Sequence, residues 1–117
     1  VVDDNRDAAE MLGEYVQGLG YRVRIAFDGP SALKAAHEMT PEIALLDIGL
    51  PVMDGFELGG RLRELPGQRA IKLIAITGYG QESDRERSRA AGFDAHLVKP
   101  VDMDALETLL QLLSAAT

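Results

Sequence analysis

Ile43-Ala44-Leu45-Leu46-Asp47 is the stretch on which the fold turns, with Ile48-Gly49-Leu50-Pro51 as its exit. Four consecutive apolar residues bounded by turn-prone sequence suit a strand buried on both faces, as in a parallel sheet. The carboxylate that ends the run then falls at the sheet's carboxyl edge, where open α/β folds bind their ligands.

Downstream, Asp54-Gly55 opens a helix expected around Phe56 to Leu65. Gly59 and Gly60 lie inside it, each costing about 1 kcal/mol relative to Ala, so the helix there is either closely packed or soft. Ile71 to Ile76 reads as another apolar strand, ending at Thr77-Gly78. Ser83-Asp84-Arg85-Glu86 fits a capping box for a helix that Gly92 terminates. Its charged body, Arg85 to Arg89, offers little apolar surface, and it is expected to be the least firmly held helix. Ala95 to Val98 forms a last strand, followed by Lys99-Pro100. Asp102 can cap a closing helix with Leu106, Leu109, Leu110 and Leu113 on one stripe.

Upstream, Val1-Val2 reads as a strand that empties into Asp3-Asp4-Asn5, with Asn5 a good N-cap. Ala8, Leu12, Tyr15, Val16 and Leu19 follow at helical spacing, and Gly20 suits a left-handed helix end. Val23, Ile25 and Phe27 alternate with Arg22, Arg24 and Ala26, the pattern of a strand near a sheet edge. Asp28-Gly29-Pro30-Ser31 turns into a helix with Ala32, Leu33 and Ala36 inward, and Thr40-Pro41 stops it. Strand and helix thus alternate five times without repeat or linker, which implies right-handed crossovers and a doubly wound parallel sheet, a three-layer (βα)5 fold.

The 117 residues make one domain, 1–117. Because the chain opens already inside an expected strand, it reads as a segment excised from, or truncated at, the N-terminus of a longer protein. A net charge of −7 argues against direct nucleic-acid binding, which needs clustered Lys and Arg. With no cysteine there is no disulfide framework, thiolate nucleophile or cysteine zinc site. No run approaches the ~20 apolar residues of a membrane span, and a cytoplasmic location is expected.

In such a sheet the strand ends bring together Asp3, Asp4, Asp47, Thr77 and Lys99. Each alone reads as a cap, a solvated turn or a surface charge; the set together does not. Three close carboxylates repel one another, and a hard divalent cation relieves this. An all-oxygen site with room for water and phosphate oxygens suits Mg2+, or Mn2+ in its place. With such an ion and Lys99 nearby, Asp47 remains ionised and can attack phosphorus, forming an aspartyl phosphate. Catalysis would be mostly positioning and charge neutralisation.

Asp3-Asp4-Asn5, Asp47 with Leu50-Pro51-Val52-Met53-Asp54-Gly55, Ile76-Thr77-Gly78 and Lys99-Pro100, in this order, resemble the receiver (response-regulator) family over essentially the whole chain. The resemblance implies the flavodoxin-like strand order 2-1-3-4-5, known from a chemotaxis member of that family. It implies Asp47 as phosphoacceptor, supplied by a sensor histidine kinase or a histidine phosphotransfer domain. Asp3, Asp4, Asp47 and the Gly49 backbone carbonyl would hold the metal. Lys99 and Thr77 would bind phosphoryl oxygens, and the Lys99-Pro100 peptide would be cis. As an isolated domain it would catalyse only its own phosphorylation and dephosphorylation.

Output in the family passes to an output domain or target through the face of the fourth helix, fifth strand and fifth helix. Phosphorylation adds about −1.5 to −2 charges at Asp47, and Thr77 is drawn toward it. Where the family has an aromatic three residues before the lysine, this chain has His96, either a plain strand residue or a pH-sensitive switch. Tyr79 is a loop aromatic placed to gate the phosphoryl group, and His37 reads as a surface residue. The run Gly92 to Asp102 is similar to receivers of hybrid sensor histidine kinases. Rival readings are a pseudo-receiver binding module, a flavodoxin-like cofactor carrier and a dehalogenase-type phosphatase. Asp3 and Asp4 would repel a flavin phosphate, and the phosphatase needs Asp where Gly49 stands.

Overall fold

The computed structural model describes residues 1–50, 52–78, 86–87 and 89–115. Its elements are α1 (Arg6–Gly18), α2 (Gly29–Met39), β1 (Ile43–Asp47), α3 (Gly55–Glu64), β2 (Lys72–Thr77), β3 (Ala95–Val98) and α4 (Met103–Ala115). Tyr79 and most of the expected capping box, Ser83 to Arg85, lie outside the described residues. The helical residues that follow, 86–87 and 89–90, are exposed and lead to Gly92 in a left-handed turn at φ +84°.

β1, β2 and β3 pair in parallel, with Leu45 opposite Ile74 and Ile76 opposite Leu97. Val2 bridges Leu46 on one side and Ala26 on the other. The chain order across the sheet is therefore the 2-1-3-4-5 arrangement. The expected strand end Val1-Val2 and the expected edge strand Val23 to Phe27 are joined to the sheet by isolated bridges instead. Bonds such as Ala26 N–H to Val1 O and Asp3 N–H to Ala26 O join the 23–27 segment to Val1-Val2. The expected alternation holds from Arg22 to Ile25, with Val23 and Ile25 half-buried and Arg22 and Arg24 exposed, but fails at Ala26, which was grouped with the arginines and is buried in the core.

Period-two geometry divides the central strands between two cores. Ala44, Leu46 and Leu73 face Ala32 and Ala36 of α2 and Leu58 and Leu62 of α3. Leu45, Ile74 and Ile76 face Leu12 and Val16 of α1 and Leu106 and Leu110 of α4. Leu46, Leu58, Leu73, Ile74 and Leu106 are fully buried, each contributing about 1.5–3 kcal/mol. This is the expected three-layer fold.

The caps fall where the sequence puts them. Asn5, Asp28, Asp54 and Asp102 accept backbone N–H bonds from Ala8, Ser31, Glu57 and Ala105. All four follow the carboxyl end of a strand or bridge segment, so the helices they cap start on the side of the sheet where those segments end. Local corrections are small. Ala9 rather than Ala8 is the fully buried alanine of α1, because the helix starts at Arg6 and turns that position inward. Gly59 is closely packed: an added Cβ would stand 2.8 Å from two Phe93 ring atoms, whereas Gly60 faces nothing within 4 Å.

Candidate functional site

Two neighbouring segments, Val1-Val2 and β1, deliver the acidic groups to one place. Val2 is pinned between β1 and the 26 segment, its N–H on Leu45 O and its O accepting from Asp47 N–H, which sets Asp3 beside Asp47. Asp3 and Asp47 are buried at 5% and 7% exposure, while Asp4 is exposed. One carboxylate oxygen from each of the three lies within 4.8 Å of the others. Among the described residues this is the one such acidic cluster, and it is the expected one.

Lys99 enters from β3. Its backbone N–H bonds Thr77 O, fixing the exit of β3 against that of β2. Its Nζ lies 3.2 Å from Asp47 Oδ2 and 3.4 Å from Asp3 Oδ2. Burial pulls the Lys99 pKa down, but Asp47 and then Asp3 outweigh it and hold the ammonium above the usual lysine value. The Lys99-Pro100 peptide is cis, as expected.

Asp47 is held from both sides. Oδ1 accepts the Gly49 N–H at 3.0 Å, and Oδ2 faces Lys99. The end of β1 is also pressed against α3, because Gly55 N–H bonds Ile48 O and an added Gly55 Cβ would meet Asp47 O at 2.8 Å. That requirement for glycine was missed in the sequence, where Asp54-Gly55 signals only a turn.

Thr77 closes β2 at 1% exposure. Its hydroxyl donates to Leu97 O at 3.4 Å, so it is directed at β3. His96 stands half-buried in β3 opposite Ala75. Of the expected site residues, the fold gathers Asp3, Asp4, Asp47 and Lys99 into one cup, with Gly49 and Thr77 adjoining.

Three carboxylates against one ammonium leave the cup with a surplus of two negative charges. The donor set is all oxygen and half open to solvent through Asp4, which fits a hard divalent cation that keeps waters. Among the described residues no helix is long and apolar enough to cross a membrane.

The family profile described as the response regulator receiver domain matches residues 1–111. The chain is 31% identical to the polar-differentiation response regulator DivK of Brucella anthropi, covering 99% of this chain and 95% of that protein. It is 30% identical to the signal transduction histidine-protein kinase BarA of Shigella flexneri, covering 93% of this chain but 12% of the kinase. The crystallised receiver domain of the sensor histidine kinase PA1611 from Pseudomonas aeruginosa, which has a magnesium ion in its active site cleft, aligns with a TM-score of 0.85 at 31% identity, covering 96% of this chain and 92% of that one.

Proposed function

This chain belongs to the response regulator receiver family of two-component signalling, and from that premise we propose that it is a phosphoacceptor in which Asp47 takes a phosphoryl group from phosphohistidine. The observation that carries the reading is the Lys99 ammonium bridging Asp47 and Asp3 at the mouth of the acidic cup. A carboxylate oxygen of Asp47 attacks phosphorus; the new P–O bond forms as the P–N bond breaks, and the electron pair leaves with the donor's imidazole. The backbone N–H of Gly49 and the ammonium of Lys99 orient the attacking carboxylate. Lys99 then meets a phosphoryl oxygen, and the Thr77 hydroxyl leaves Leu97 O to meet another.

Asp3, Asp4, Asp47 and the Gly49 carbonyl would hold Mg2+ or Mn2+, which supplies charge neutralisation for the transferring group. The donor is a sensor histidine kinase or histidine phosphotransfer domain, and the setting is cytoplasmic. Output runs through the edge of the sheet at β3, where His96 stands in place of an aromatic residue, toward α4 and a target or output domain. Turnover is confined to Asp47's own modification and its hydrolysis.

Incubation with acetyl phosphate and Mg2+ is expected to add one phosphate, detected as an intact-mass increase, and Asp47→Asn is expected to abolish it. A wild-type protein that stays unmodified overturns the reading.

A further inference from the structure

Arg6 opens α1 directly after the Asn5 cap and is exposed. A cation there opposes the helix macrodipole, which favours anions at an N-terminus, so helix formation does not account for it. Its guanidinium lies over Phe27 instead, 4.2 Å from the ring centroid, within cation–π range. Phe27 is half-buried between Ala26, the bridge partner of Val2, and Asp28, the cap of α2. Both residues therefore stand at the carboxyl edge, on the flank of the cup away from Lys99. Arg6 follows Asp4 by two residues, so their Cα atoms are separated by at most roughly 7.6 Å.

We propose that Arg6 is a specificity-determining rim residue: resting on Phe27, it sets the potential at the mouth of the acidic cup, favouring capture of an anionic phosphoryl donor and opposing occupancy by a divalent cation. The donor half rests on the receiver reading above; the cation half rests on the acidic cluster alone. A divalent cation would cancel the cup's surplus of two negative charges, and a further cation on the rim then leaves the mouth with a positive potential that draws in an anionic donor. The same charge makes bringing Mg2+ into the cup harder. Arg6 acts through space, so its influence is screened over about 10 Å at 0.1 M salt.

The test compares Arg6→Ala, Arg6→Lys and Arg6→Glu, with acetyl phosphate as donor and, separately, Mg2+ alone. At low ionic strength, saturating Mg2+ and subsaturating acetyl phosphate, Arg6→Ala is expected to slow phosphorylation of Asp47 about threefold and Arg6→Glu about tenfold. Arg6→Lys stays near wild type, the limiting rate at high donor is unchanged, and the deficits vanish near ~1 M salt. In Mg2+ titrations without donor the order reverses, Arg6→Glu binding most tightly and wild type least. Damage to the fold does not weaken one ligand while strengthening the other. Unchanged donor rates and Mg2+ affinities across the series, or deficits that persist at high salt, overturn the proposal. If wild type binds Mg2+ yet stays unmodified, the receiver reading falls and the Mg2+ order still decides Arg6.

Discussion

At the amino edge of the sheet Arg63 is answered in full, and at the carboxyl edge Lys99 is outnumbered. Arg63 pairs with Asp94 at 3.0 Å and also donates to the carbonyls of Gly92 and Ile71. Asp94 in turn accepts the Leu73 N–H at 2.8 Å, and its own N–H bonds Leu73 O. The network ties α3, β2 and the entry to β3 together and closes on itself. At the opposite edge Lys99 stands among three carboxylates and ion-pairs with two of them, Asp47 and Asp3, leaving a surplus of negative charge in the cup. Both clusters join distant parts of the chain through an ion pair. Their charge balance separates the one that holds the fold from the one prepared for a ligand.

The contrast can be broken most forcefully with metal. Mg2+ at a hundred times its dissociation constant should raise the unfolding free energy of wild type by about 2.7 kcal/mol. Asp4→Asn should lose most of that increment and Asp94→Ala should keep it, as read by urea denaturation with and without Mg2+. Next in size, Asp94→Ala should cost about 2 kcal/mol, since it leaves the Leu73 N–H without its carboxylate acceptor and removes the ion-pair partner of Arg63. Its rate of phosphorylation by acetyl phosphate should be unchanged wherever the protein remains folded. A comparable fall in that rate would mean the two edges are coupled.

Smaller effects sharpen the amino edge. Gly59→Ala should destabilise by about 1–2 kcal/mol, because the new methyl must push Phe93 aside, next to Asp94. Gly60→Ala, facing open space, should stabilise by about 0.5–1 kcal/mol. The smallest effect is in alkali. The pKa of Lys99 is raised, so its stabilising contribution is complete below the ordinary lysine value and is lost as pH rises through the higher folded value. Amide exchange at the carboxyl edge should accelerate there before exchange around Asp94, whose arginine partner stays charged.

Most of the carboxyl edge was legible because each of its residues follows an apolar run, and parallel strands must end together. Asp3, Asp47, Thr77 and Lys99 needed no knowledge of packing to be placed. The amino-edge network was invisible for the opposite reason. Arg63 and Asp94 lie 31 residues apart, and nothing in the local pattern around either announces the other. Gly59 shows the same limit: an inward and an outward glycine look alike until Phe93 is seen against one of them. The segment from Val23 to Phe27 failed differently, since its alternation described burial correctly as far as Ile25 but set Ala26 with the polar face, whereas its bridge to Val2 carries it into the core.

Gly55 carries a consequence for the excursion between β1 and α3. Its N–H bonds Ile48 O, and its missing side chain lets helix and strand touch, so the two ends of that excursion are clasped together. Val52, within it, is fully solvent-facing at a positive φ of 68° and contributes nothing to either core. Leu50 and Met53, by contrast, are buried in the core shared with α2 and α3, so the excursion is moored from within as well as at its ends, and Val52 is its dispensable outer bead.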